Sequence, residues 1–258
     1  RIDGPAAREI DAEGCLVTPG FVDIHTHYDG QASWDSRLAP SSFHGVTTVV
    51  MGNCGVGFAP VRQADRDTLI EVMEGIEDIP GVALHEGLSW NWETFPDYLD
   101  ALDERRFDMD VAAQLPHAAL RLYVMGERGA RLEPATPEDI ARMRRLVGEA
   151  VRAGAIGFST SRSSNHRSIT GDPTPSLRAE EAELTGIALG LADAGAGVMQ
   201  FISDFSEEQG DDFAMISRVV RASGRPASIS VAQRYSSPGN WKVLLHRMSE
   251  ARADGIDI

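Results

Sequence analysis

Apolar, β-branched runs alternate along the chain with amphipathic stretches of helical period. Val46-Thr47-Thr48-Val49-Val50-Met51 reads as a buried strand. Shorter apolar runs near Phe21, Val111, Ala155, Ala196, Ala227 and Ile256 repeat the signal, so about seven strands are predicted. Between them, residues 65–74 place Leu69, Ile70 and Met73 on one helical face. Thr94, with Asp97 three residues on, reads as the N-cap of a helix running to about residue 105 and carrying Tyr98, Leu99 and Leu102. Thr136 followed by Pro137 opens another, in which Ile140, Met143, Leu146, Val147 and Ala150 recur. Leu184, Ile187 and Leu191 mark the next, then Met215, Ile216 and Val219, then Val243, Leu244 and Met248. These faces are core packing, and His246 in the last helix is expected at the surface. Residues 75–93, with Trp90 and Trp92, form the longest stretch outside this alternation and are expected to be a lid or pocket wall.

Two features at strand ends carry chemistry. His25-Thr26-His27 follows the apolar run Phe21-Val22-Asp23-Ile24, entered by a Pro19-Gly20 turn. Side chains alternate along extended backbone, so both imidazoles fall on one side, where two nitrogen donors can grip a divalent metal. Asp29 is placed to orient an imidazole from behind. The second predicted strand runs into Gly52-Asn53-Cys54-Gly55-Val56-Gly57, whose glycines permit a tight turn. If the two strands are parallel neighbours, Cys54 emerges beside the histidines, and a thiolate with two imidazoles is a zinc-type ligand set. His117 follows the third strand, residues 111–115, and would line the same rim. A (β/α)8 barrel brings all four residues to one mouth; a doubly wound open sheet is the alternative from pattern alone. No dinucleotide or phosphate fingerprint and no nucleophile elbow occurs.

The runs TPGFVDIHTHYD and GVTTVVMGNCGVGFAP resemble the N-acyl-D-amino-acid deacylases (D-aminoacylases) of the amidohydrolase superfamily. Further resemblance lies in Trp90-Asn91-Trp92-Glu93-Thr94-Phe95, in Leu115-Pro116-His117 with Arg121, and in Gly154-Ala155-Ile156-Gly157-Phe158-Ser159-Thr160. The resemblance implies an α/β chain forming a (β/α)8 TIM-like barrel of the metal-dependent amidohydrolase type, incomplete at both ends. It implies His25, His27 and Cys54 as metal ligands with Zn2+ as cofactor. The implied reaction is cleavage of a linear amide C–N bond of an N-acyl-D-amino acid by metal-activated water. His117 is then a catalytic contact to the oxyanion or substrate carbonyl, and Arg121 and Arg162 are candidates for the substrate carboxylate. The family pattern also has a histidine after the fifth strand and another after the sixth. Here the fifth (residues 196–202) offers Gln200, a weaker ligand also considered for substrate binding, and the sixth (residues 227–231) offers none. His166, in the polar loop after the fourth strand, is expected to be solvated.

Composition narrows the partners. The 258 residues are 42% hydrophobic with a net charge of −15, which argues against nucleic acid and anionic membrane surfaces and leaves a small-molecule substrate. No apolar run approaches a membrane span. Two cysteines, Cys15 and Cys54, imply no disulfide framework and fit a cytoplasmic setting. Residues 1–18, including a strand at residues 8–12, are expected to be the remnant of an N-terminal β-sandwich, and residues 19–258 the catalytic barrel. The family's carboxylate base follows the eighth strand, beyond Ile258, so the 258-residue chain alone is expected to be inactive; detectable deacylase turnover by it would contradict this. Two alternatives stay open. One is a cyclic-amide hydrolase of the dihydropyrimidinase or hydantoinase kind, although that group places a lysine after the fourth strand, where this chain has Ser159-Thr160. The other is a non-catalytic ligand-binding barrel.

Overall fold

The computed structural model describes residues 4–206, 210–235 and 237–258. Six parallel strands lie in sequence order in one sheet: β1 (Phe21–Asp23), β2 (Val46–Met51), β3 (Asp110–Pro116), β4 (Gly157–Arg162), β5 (Val198–Ser203) and β6 (Ala227–Ile229). Helices α1 (Arg66–Glu77), α2 (Gly81–Gly87) and α3 (Phe95–Asp103) connect β2 to β3. Helices α4 (His117–Met125), α5 (Glu127–Ala130) and α6 (Pro137–Ala153) connect β3 to β4. Single helices follow β4, β5 and β6: α7 (Glu181–Ala194), α8 (Asp212–Ser223) and α9 (Asn240–Ala253). The predicted caps are present. Thr94 with Asp97 and Thr136 with Asp139 form reciprocal capping boxes, each with proline in the first turn.

The sheet curls. β2 and β5 are three strand spacings apart, about 14 Å if the sheet were flat. Yet the Cys54 N–H, just past β2, donates to Gln200 Oε1 on β5 at 2.9 Å. Only a sheet rolled toward a barrel permits that contact, and the strand order with outer helices is that of an incomplete (β/α)8 barrel. β4 is the most enclosed strand, buried from Gly157 to Ser161, and α6, α7 and α8 pack side by side outside it.

Four expectations change. Residues 8–12 form no strand, and 8–11 are exposed. No strand forms at Ile256 either; instead Ile256 and Ile258 are buried, and Asp257 O accepts the Ala227 N–H at 2.9 Å, a single rung beside β6. The stretch of residues 75–93 is packed wall rather than lid. Its α2 was not anticipated, Trp92 donates Nε1–H to Phe58 O at 2.8 Å, and the Trp92 ring stands edge-on to Tyr98. The β1 strand stops at Asp23, two residues before His25. As expected, His246 is exposed on α9, beside Glu250.

Candidate metal centre

The His-x-His segment is held by the residue between its histidines. Thr26 gives both its N–H (3.0 Å) and its hydroxyl (2.8 Å) to Val50 O at the end of β2. Buried Thr26 therefore points down into the sheet edge and sends His25 and His27 to the other side, their ring centroids 5.4 Å apart.

The turn carrying Cys54 is fixed by three strands. Gly52 has φ 78°, and a Cβ there would lie 2.0 Å from Gln114 O on β3, so only glycine fits. Asn53 donates to Thr26 O and Val50 O and accepts from Gln114 Nε2 at 2.9 Å. Ser159 on β4 donates to Gly52 O and accepts the Gly55 N–H at 2.9 Å. Ser159 and Gln200 are register partners on β4 and β5, so one face of the sheet presents both to the turn. Cys54 itself adopts left-handed backbone (φ 55°), a conformation that costs a non-glycine residue roughly 1–3 kcal/mol and persists because these bonds over-determine it.

The result is a tight donor cluster. One ligand atom from each of His25, His27 and Cys54 lies within 4.8 Å of the other two, and His25 Nε2 is 3.2 Å from Cys54 Sγ. Burial, reinforced by the charges of His25 and His166, pushes His27 down to about 3, so its ring is neutral, the form that ligates. Burial lowers His25 also, against the opposing pull of Asp23. The buried His27 Nδ1 has no hydrogen-bond partner. Burial pushes the Cys54 thiol up to about 12, aided by the negative charges of Glu77 and Asp29. A thiolate there needs a cation beside it. Two neutral imidazoles and a thiol that ionises only against positive charge fit a zinc-type ion. Asp29 and Glu77, both held up at about 7 chiefly by burial, stand around the cluster.

The other expected site residues lie elsewhere. His117 is fully buried and both ring nitrogens are engaged: Nε2 donates to Glu183 Oε1 at 2.8 Å and Nδ1 accepts from Thr160 Oγ1 at 2.8 Å. No nitrogen remains for a substrate carbonyl, which corrects its catalytic assignment. Arg121 is also fully buried, 3.0 Å from Glu183 Oε1 through Nε and bonded to Pro175 O and Glu133 O. It neutralises Glu183 inside the fold and does not meet a substrate carboxylate. Arg162 is half-buried, bonded to Asp212 Oδ1 at 3.0 Å and to Ala179 O at 2.6 Å, so its guanidinium ties β4 to α8. Gln200 spends Oε1 on the Cys54 N–H and Nε2 on Ser230 Oγ; it positions the thiol rather than binding substrate.

Two residues near the cluster were not anticipated in these places. Glu77 Oε1 stands 3.4 Å from His27 Nε2. His166 is half-buried, with Nδ1 2.8 Å from Ser161 Oγ, close enough to act electrostatically on both His25 and His27. Its loop is folded back: Asp204 accepts from Ser163 and Ser164, and Glu71 O takes the Ile169 N–H.

A parallel, barrel-forming sheet with a His-x-His and a cysteine at its carboxyl edge is an arrangement able to hold a divalent metal. The chain belongs to the Amidohydrolase family, whose profile matches residues 8–258. It is 38% identical over 158 residues to a D-aminoacylase of Alcaligenes xylosoxydans xylosoxydans, covering 61% of this chain and 30% of that protein. It is 32% identical over 264 residues to the N-acyl-D-glutamate deacylase of the same organism, covering 98% of this chain and 48% of the relative. A solved D-aminoacylase structure, studied for the role of its binuclear metal centre, superposes with a TM-score of 0.71 at 29% identity, over 91% of this chain and 45% of that one. The chain thus spans less than half the length of these relatives. Among the described residues no helix is long and apolar enough to cross a membrane.

Proposed function

We propose that the protein is a metal-dependent hydrolase of linear amide C–N bonds, acting on N-acyl-D-amino acids, with zinc held by His25, His27 and Cys54. The observation that carries this reading is the convergence of their three ligand atoms within 4.8 Å at the carboxyl edge of the sheet. A divalent cation held there supplies Lewis acidity, polarising an amide carbonyl and lowering the pKa of water to about 7. The chain's own residues build the place for it. Thr26 aims both imidazoles by its bonds to Val50 O. Gln200 and Ser159 hold the Cys54 turn across the barrel. Burial keeps His27 neutral and ready to donate a lone pair. The substrate class follows from the relatives' names, D-aminoacylase and N-acyl-D-glutamate deacylase. The absence of lysine from Gly157–Arg162 does not favour the cyclic-amide reading.

Substrate class is tested by assaying zinc-loaded full-length protein against matched N-acyl-D-amino acids, N-acyl-L-amino acids and cyclic ureides. Release of free amine from the D series alone is the expected outcome. Turnover confined to the L series or to the cyclic compounds would overturn the substrate assignment.

A further inference from the structure

His117 has no nitrogen left for the contact expected of it, and another imidazole stands beside the cluster. His166 is placed by β4. Ser159 and Ser161 are two residues apart on that strand, so both face the inside of the curled sheet. Ser159 bonds the Cys54 turn, and a Cβ on Gly55 would fall 3.1 Å from the Ser161 nitrogen. The Ser161 hydroxyl lies 2.8 Å from His166 Nδ1, which ties the ring beside the same turn.

That bond also sets where the ring carries its proton. Ser161 is fully buried, and its Oγ accepts the Ser163 N–H at 3.1 Å. Among the described residues the acceptor for its own O–H is His166 Nδ1, and a buried hydroxyl left without an acceptor is costly. Nδ1 is therefore the acceptor, and the proton is on Nε2. Burial, joined by the charges of Arg234 and His25 against the pull of Asp204, lowers the ring's proton affinity and keeps it neutral. Nε2–H has no partner among the described residues and is not enclosed. The loop does not need this ring for its shape. The Thr174 N–H bonds His166 O at 3.0 Å, Asp204 accepts from Ser163 and Ser164, and the Ile169 N–H bonds Glu71 O on α1. What the Ser161 bond adds is a fixed, neutral N–H donor within electrostatic reach of His25 and His27.

We infer that His166 donates its Nε2–H to the carbonyl oxygen of the scissile amide, making the contact that His117 does not. This rests on the proposed hydrolysis at His25, His27 and Cys54. A donor aimed at that oxygen is worth more as the oxygen gains negative charge, so its loss falls on kcat rather than KM. The test compares H166N and H166Q with the parent in the zinc-loaded full-length protein. An asparagine amide reaches the place of Nδ1 and can keep the Ser161 bond. A glutamine amide reaches the place of Nε2 and can keep the donor. H166N is expected to lose about a hundredfold or more in kcat, the effect of removing one such donor, with KM nearly unchanged. H166Q is expected to recover most of that loss. Affinity for a phosphonate analogue of the substrate, tetrahedral at the reacting centre, should fall in H166N in step with kcat/KM, while zinc content and melting temperature match the parent's. A ring that only tethers the loop gives the reverse order, with H166N like the parent and H166Q impaired. That order, parental kcat in both variants, or zinc lost from either would overturn the assignment and leave the hydrolase reading standing. If both variants lose activity, phosphonate affinity decides, and unchanged binding overturns it. A zinc-loaded parent that neither turns over an N-acyl-D-amino acid nor binds the phosphonate would end both readings.

Discussion

Serine in place of Cys54 is expected to strip the full-length protein of stoichiometric metal and, with it, of the proposed amide hydrolysis. The buried thiol titrates at about 12 without a cation, so metal binding must displace a proton from sulfur, and the thiolate formed is both ligand and counter-charge. A serine hydroxyl gives up its proton far less readily and offers a harder, weaker donor. Removing groups that merely support ligands costs about 10–100-fold in metal affinity, so losing the thiolate should cost at least about a hundredfold. The fold should survive. The turn is held by Cys54 N–H to Gln200, Gly55 N–H to Ser159, and the Asn53 amide, none of which uses the sulfur. Metal content after dialysis and thermal unfolding of the metal-free forms check both halves. Retained stoichiometric metal in C54S, or a variant that fails to fold, would contradict them.

The second large effect lies away from the metal. Glu183→Ala is expected to destabilise the protein by about 3–5 kcal/mol, because it leaves the Arg121 guanidinium buried without its counter-charge. At roughly 2–4 °C per kcal/mol for a chain of this size, the melting temperature should fall by roughly 6–20 °C. Glu183 is 1% exposed, and its Oε1 meets both His117 Nε2 and Arg121 Nε. Burial lowers the Arg121 and His117 proton affinities, and the Glu183 charge opposes it in both. Below the altered melting temperature, metal content should equal the parent's. A melting temperature unchanged from the parent would remove the structural account of this network and reopen a substrate role for His117.

These two sites mark the boundary of what the sequence makes legible. His25, His27 and Cys54 can be found because their placement depends on local rules: alternation along extended backbone, and a glycine-flanked turn at a strand end. The capping boxes at Thr94 and Thr136 are local in the same sense. His117 and Arg121 mislead because a strand-end histidine and a nearby arginine look like site residues, whereas every residue of α4 is buried. A signal was available. A helix apolar on all sides with one histidine and one arginine at i and i+4 must bury both, and buried charge demands a partner. The partner, Glu183, is more than sixty residues away, and periodicity cannot supply that pairing. Glu77 and His166 escape notice for the same reason. Their approach depends on Gly75 letting α1 touch the β4 loop, a tertiary contact with no local signature. The seventh strand expected at Ile256 shows the converse: the apolar pattern correctly marks burial, while only one ladder bond, from Ala227 to Asp257, is made.

The central claim is that one sulfur and two ring nitrogens share a single cation. X-ray absorption at the zinc edge of the reconstituted protein tests it most directly. The account predicts one sulfur neighbour at about 2.3 Å, together with nitrogen and oxygen neighbours at about 2.0–2.1 Å. A zinc shell fitted without sulfur, or a protein that takes up no stoichiometric zinc, would contradict it.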